Sequence, residues 1–358
     1  MKESPLARAL CPGCKAGLDL RATPLACDEC GRSYPRVGDI PVLLPRAQDH
    51  IALWRGQLGL LLERGRETLS GLTDAAGTAT LAGGKRRLLD LGAAVATQVE
   101  DLAAVLGPAL GGAGPAAAKL PRGVVEYSAY LYRDWAWPSV GHDENAHARS
   151  ALAQVIGETK LGQTLVVGAG ACGLAYDLHR LHGASETVVL DIDPYLLVIA
   201  ERVVRGRAVR LTEASLKVMD QALVSRSWVL QAPAGPLSTE AFHFFFADGV
   251  TPPFREQSFD TVVTPWFIDQ VPSDLPAFLA TLQRLLRPGG RWLNQGPLIY
   301  PEHTPFERRY SREELFELAA RAGFVVGASS VSARPYLVSP LSGSGKVESV
   351  LTFVTTRP

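Results

Sequence analysis

The chain has 358 residues, 47% hydrophobic and 20% charged, enough for one large α/β domain plus a small module and too apolar for a disordered chain. Lys plus Arg and Asp plus Glu stand at 36 each, so no global field draws nucleic acid or an anionic membrane. The first ten residues lack the apolar core of a signal peptide, and no apolar run is long enough to span a bilayer, so a cytoplasmic protein is expected.

Four of the five cysteines form two C-x2-C pairs, Cys11–Cys14 and Cys27–Cys30, with 12 residues between them. In a reducing compartment such pairs read as metal ligands rather than disulfides. Each tight turn lets two thiolates converge, and two turns complete the closed S4 shell of structural zinc. So short a segment cannot bury enough apolar area to fold alone, and the metal would supply its stability. The text that follows, Cys30-Gly-Arg-Ser-Tyr-Pro35 and Gly38-Asp-Ile-Pro-Val-Leu-Leu44, resembles the Trm112-like zinc ribbons. That resemblance implies a structural or docking role, with a protein partner as one prospect. Residues 1–50 hold seven Lys/Arg and six Asp/Glu, which gives RNA binding no support.

Leu88 to Leu106 carries apolar residues at helical spacing, and Gly107 to Pro121 reads as a linker rich in Gly, Ala and Pro. From residue 124 on, short apolar runs alternate with amphipathic stretches, the mark of a βαβ architecture. Strands are expected at Thr164–Val167, Thr187–Leu190, Phe242–Ala247, Phe259–Thr264, Arg291–Asn294 and Val347–Thr355. Helices are expected at Gly173–His182, Leu275–Leu286 and Ser311–Ala322, the last with Ser311 and Glu314 at capping-box spacing. The division expected is a ribbon (1–48), a helical or linker region (49–122) and an α/β domain (123–358).

The first strand runs into Gly168-Ala-Gly170-Ala-Cys-Gly173. Glycines there allow a sharp turn and a close backbone approach to a ligand. Asp191 ends the next strand, where a carboxylate can accept both hydroxyls of a ribose. A dinucleotide enzyme shows the same features, so these residues alone leave the cofactor open. The later succession is Ala247-Asp248-Gly249 after a third strand, Phe259-Asp260 opening a fourth and Arg287-Pro-Gly-Gly290 before a fifth. It resembles class I methyltransferases that use S-adenosylmethionine (SAM). The resemblance implies a Rossmann-like, mostly parallel seven-stranded sheet. It places the cofactor against Gly168, Ala169, Gly170, Gly173, Asp191, Gly249 and Pro265, with Asp248 near the adenine amino group.

A narrower resemblance rests on Tyr132-Arg-Asp-Trp135, Trp266-Phe-Ile-Asp269, Trp292-Leu-Asn-Gln-Gly-Pro-Leu-Ile-Tyr300 and Tyr310-Ser311 with Glu313-Glu314. These strings are similar to the N2227-like, or carnosine N-methyltransferase, family. The family then implies that Arg133 reaches the SAM carboxylate and that Asp269 orients the acceptor nitrogen. Trp266 would wall the acceptor, and Asn294 and Tyr300 would shape the site. Plainer roles stay open: an ion pair for Arg133, core packing for Trp266 and Tyr300, a helix cap for Asp269. The chain also departs from the family. Pro301 stands where the family has a histidine, with His303 two residues on, and the paired tyrosines before the closing strand are replaced around Lys346 and Val347. N-methylation of a small molecule or peptide is the leading expectation, with SAM and structural zinc as cofactors. An RNA or translation-protein methyltransferase docked through the ribbon, and a non-catalytic methyltransferase-like scaffold, remain as alternatives.

Overall fold

The computed structural model describes residues 3–116, 124–138, 140–215, 217, 219–271 and 275–358. Strands β1 (Arg36–Val37) and β2 (Ile40–Leu43) form a hairpin after the cysteine knuckles, turned at Gly38 with φ +57°. Helices α1 (Ala47–Thr78) and α2 (Ala82–Leu110) follow as a long pair. They approach closely at Gly65, where a Cβ would meet Val99 at 2.6 Å. The expected linker from Gly107 is therefore helical up to Leu110. Beyond it, the Gly114 amide bonds the Arg55 carbonyl at 2.9 Å and ties the chain onto α1; the stretch 117–121 lies outside the described residues.

Helices α3 (Val124–Trp135) and α4 (Val140–Ile156) lead into β3 (Gly162–Val167), α5 (Gly173–Leu181), β4 (Ala184–Asp191) and α6 (Pro194–Val204). A separate hairpin, β5 (Val209–Ala214) with β6 (Ser225–Leu230), precedes β7 (Phe242–Ala247). The chain ends with β8 (Phe259–Pro265), α7 (Leu275–Leu285), β9 (Leu286–Gly296), α8 (Arg312–Arg321), β10 (Val325–Tyr336) and β11 (Lys346–Thr356). Ser311 and Glu314 cap α8 reciprocally, as their spacing predicts.

The main sheet has nine strands in the order β1-β2-β7-β4-β3-β8-β9-β11-β10. Neighbours from β2 through β9 pair in parallel, and β11 inserts antiparallel between β9 and β10. The central strands are apolar on both faces, Leu165-Val-Val167 being fully buried, as a parallel sheet covered on both sides requires. Seven strands were expected. The two extra ones come from the ribbon, whose β2 pairs Val42 with Phe246 and Leu43 with Ala247 along the edge of β7. An open edge strand is thereby covered within the chain itself.

The ribbon also enters the core. Ala9, Leu18, Leu25 and Tyr34 pack in one cluster with Phe245, Phe254 and α7. The Leu10 amide bonds the Pro253 carbonyl at 2.8 Å, and the Arg255 amide bonds the Arg8 carbonyl at 2.9 Å. The strand order reverses between β3 and β8, and the crevice at such a switch point is where α/β sheets bind ligands. The site lies there.

Candidate active site

A cavity of about 840 Å³ opens at the carboxyl ends of β3, β4, β7 and β8, within the usual range for small-molecule sites and towards its upper end. Its first half is built by the turn after β3. Gly168 and Gly170 sit at φ +69° and +55°, a region that side chains strain to enter. A Cβ on Gly168 would also strike Phe267 at 2.6 Å. The turn is locked by Asp191, whose carboxylate accepts the Gly170 amide at 2.7 Å and those of Ile192 and Asp193 at 2.7 and 2.9 Å. Burial pushes the Asp191 carboxyl above its ordinary range, against the pull of these three amides. Oδ1 accepts two of these amides and Oδ2 one, which leaves one lone-pair site, on Oδ2, for a ligand hydroxyl. Asp248, after β7, accepts the Val250 amide at 2.9 Å and the Thr251 hydroxyl at 2.8 Å, which fixes its rotamer at the wall. From α1, His50, Leu53, Trp54 and Gln57 line the same side. Their spacing puts them on one helix face. Trp54 packs on Phe246 of β7 at 4.8 Å between ring centroids.

The second half is built around Trp266 and Asp269. Trp266 turns the chain after β8 at φ +51°, a costly conformation for a bulky residue and one that concentrates at functional sites. Gly296 makes room for it, since a Cβ there would lie 2.8 Å from the Trp266 Cα. The indole stacks on Tyr336 with centroids 3.9 Å apart and planes at 15°. Tyr130 meets Tyr336 edge-on at 6.3 Å. Arg133 lies 5.5 and 5.7 Å from the centroids of these two tyrosines and pairs with Asp134 at 2.7 Å and Glu144 at 3.1 Å. Asp269 is only 4% exposed. Its carboxylate accepts the Ile299 amide at 3.2 Å, and burial pushes its pKa up to about 6. It is therefore a carboxylate that changes charge close to neutrality, facing a cavity lined by aromatic rings.

The four ribbon thiols stand apart from this cavity. Their sulfur atoms all lie within 4.8 Å of one another, with Cys11 to Cys30 at 3.7 Å and Cys14 to Cys27 at 3.6 Å. A tetrahedral zinc site with sulfurs ~2.3 Å from the ion sets them about 3.8 Å apart. The donor set fits that ion.

The carnosine N-methyltransferase family profile matches residues 215–351, more than a third of the chain. The match is confined to that stretch. A curated carnosine N-methyltransferase of Dictyostelium discoideum is 37% identical over 73 residues, 20% of this chain and 16% of that protein. Among solved structures, a chain from the complex of the Haloferax volcanii Trm112 methyltransferase activator with a methyltransferase is 19% identical. It aligns over 67% of this chain and all of its own length, with a TM-score of 0.42. A phosphoethanolamine N-methyltransferase of Haemonchus contortus is 16% identical over 65% of this chain and 57% of its own, with a TM-score of 0.41. The order of the main sheet is that of a Rossmann-like α/β fold.

The cavity brings together Arg133, Gly168, Ala169, Gly170, Asp191, Asp248, Gly249, Pro265, Trp266 and Asp269. Gly173 is set back from the wall, its amide donating to Asp134 at 2.9 Å. Asn294 and Tyr300 are not at the wall either. Asn294 is fully buried in the sheet and bonds Thr264 at 2.9 Å, because β9 turns that side chain inward between β8 and β11. Tyr300 packs edge-on to Tyr310 at 6.5 Å, its hydroxyl buried without a hydrogen-bond partner. His303 is exposed and away from the wall. Sequence reasoning missed Tyr130, Tyr336 and the α1 residues. Tyr336 lies on β10, a strand whose mixed Ser, Ala and Arg content hides its period.

Proposed function

We propose that the chain is a SAM-dependent methyltransferase that N-methylates a small acceptor, with an imidazole as the group that fits best. The observation that carries this reading is the position of Asp269: a nearly buried carboxylate sharing one cavity with the glycine turn, Asp191 and Asp248. When bound, SAM supplies a methyl already activated by its sulfonium. The chain's own residues then have to hold and align. The backbone at Gly168–Gly170 leaves space for the cofactor to approach. Asp191 would accept one ribose hydroxyl at Oδ2, Asp248 would take the adenine amino group, and Pro265 and Gly249 would shape the floor.

Asp269 accepts the acceptor's N–H and so aims the opposite, lone-pair-bearing nitrogen into the cavity. It also stabilises positive charge that grows on the acceptor during transfer. The Trp266–Tyr336 stack excludes water and offers a ring face to a forming cation, with a cation–π contribution of about 0.5–2 kcal/mol. Arg133 holds the two tyrosines and the start of α4 together, and its ion pairs leave its reach to a cofactor carboxylate as an expectation.

The four cysteines would hold one structural zinc. Metal analysis of protein purified without chelators tests this and should find about one zinc per chain; a metal-free, fully folded protein would refute it. Since β2 is engaged on β7, the ribbon serves its own sheet in this reading. The division into 1–48, 49–122 and 123–358 is part of the proposal. Among the described residues no helix is long and apolar enough to cross a membrane. Tritiated SAM incubated with cell extract, then divided into small-molecule, protein and RNA fractions, tests the acceptor class. Label confined to RNA would overturn the reading.

A further inference from the structure

Arg133 is the middle link of a longer chain of contacts. Asp134 divides its two oxygens: Oδ1 accepts the Arg133 Nε–H at 2.7 Å, and Oδ2 accepts the Gly173 amide at 2.9 Å. Glu144, on α4, divides its oxygens in the same way. Its Oε1 accepts from the Arg133 Nη1 at 3.1 Å, and its Oε2 accepts the Leu337 amide at 2.9 Å. The path Gly173–Asp134–Arg133–Glu144–Leu337 is therefore continuous, with a main-chain amide at each end. The side chains of Asp134, Arg133 and Glu144 are 3%, 15% and 14% exposed, so water screens them little and each bond is the stronger for it.

The two ends of this path lie in the two halves of the cavity. Gly173 opens α5 at the end of the glycine turn. Its missing Cβ makes room for Asp134, since a Cβ there would lie 2.6 Å from the Asp134 Cγ. The neighbouring Trp135 indole donates to the Ala171 carbonyl at 2.8 Å, so the end of α3 grips the turn twice. At the other end Leu337 holds φ +51°, a region that strains a bulky side chain. It directly follows Tyr336, which stacks on Trp266. The bond to Glu144 thus fixes the strained turn that sets the tyrosine ring. The same loop has a second anchor on a different carboxylate, the Ser339 hydroxyl donating to Glu213 at 2.6 Å.

We infer that Asp134 and Glu144 are positioning residues that couple the two halves of the cavity: a cofactor that orders the glycine turn also stiffens the Tyr336 wall, through Arg133 and the Leu337 turn. The inference rests on the cofactor reading above. Such coupling is carried by packed hydrogen-bond and ion-pair networks. It needs no displacement, because a group already held in place costs less to order around.

Hydrogen exchange of the full-length protein, read by mass spectrometry with and without saturating adenosylhomocysteine, tests it. Adenosylhomocysteine should slow exchange in the segment 337–345 about fivefold, the lower end of the range for coupled sites. Glu144→Gln keeps an oxygen for the Leu337 amide and loses the ion pair with Arg133. In that variant the segment should stop responding to adenosylhomocysteine, while the glycine turn is still protected by it. Ser339→Ala loosens the loop from the Glu213 side, and its response should persist. A segment indifferent to adenosylhomocysteine in the unaltered protein overturns the coupling and leaves the cofactor reading standing. A Glu144→Gln loop that exchanges faster yet responds by the same factor overturns it too, since that marks a merely structural contact. If calorimetry finds no adenosylhomocysteine binding at all, the cofactor reading falls, and the coupling with it.

Discussion

The two halves of the cavity are built from different material. The half proposed for the cofactor comes from the ends of parallel strands and from backbone: two glycines at positive φ, and carboxylates whose oxygens are fixed by main-chain amides. The half proposed for the acceptor comes from side chains, with an indole on a strained turn, a tyrosine on an edge strand and a carboxylate raised by burial. Backbone geometry tolerates few sequences, so the first half leaves a motif. Side-chain walls can be made in many ways, so the second half can change its ligand without changing the fold.

The comparison breaks most sharply at Asp269. Asp269→Asn keeps the shape and removes the charge, so cofactor affinity should be retained while kcat drops by about 10²–10³, the scale for removing one electrostatic contact to the reacting group. Isothermal titration with adenosylhomocysteine and steady-state assays would separate the two. A variant with near-normal turnover would take Asp269 out of the chemistry. On the other half, Asp191→Ala should spare the acceptor site and weaken cofactor binding by about tenfold to a hundredfold, the range for charge-assisted hydrogen bonds. Unchanged affinity would mean that Asp191 only pins the turn.

The pKa of Asp269 adds a smaller, signed effect. Its folded value is raised from 3.8 to about 6. Below the unfolded value both states are protonated and burial carries no penalty. The penalty grows as pH rises between the two values and is complete above about 6, at up to about 3 kcal/mol. Asp269→Asn should therefore raise the melting temperature at pH 8 and leave it unchanged at pH 3. Turnover of the unaltered enzyme should fall about tenfold per unit as pH drops below 6, because the protonated group no longer accepts the acceptor's N–H. A pH-independent melting difference would contradict this account.

How much of this was legible follows the same division. The strand at Phe242–Ala247 and the helix from Leu275 were read with correct starts, because apolar runs bounded by Gly, Pro or Asp punctuate themselves. The cysteine spacing foretold a cluster that the fold brings within tetrahedral distances. Asn294 entered on the resemblance alone, and its side chain bonds Thr264 within the sheet. The nine-stranded sheet was hidden because Ile-Pro-Val-Leu is too short to declare its partner. Only the fold shows it on the edge of β7. The stretch 50–122 gave helical spacing in part and no location, since an amphipathic face does not say what it covers.

That face now has a place, and it gives the mildest test. His50, Leu53, Trp54 and Gln57 line the cavity together with Asp248, on the side proposed for the cofactor. The helix that carries them begins four residues after β2 leaves the sheet edge, so the ribbon sets where the helix starts. Gln57 is 8% exposed, and its amide at the wall is suited to a neutral hydrogen bond with a bound nucleoside. Replacing it by Ala should raise the dissociation constant for adenosylhomocysteine about two- to tenfold, the scale of one neutral hydrogen bond, with acceptor affinity unchanged. If acceptor affinity moves instead, α1 belongs to the other half of the cavity, and the boundary drawn between backbone-built and side-chain-built regions lies elsewhere.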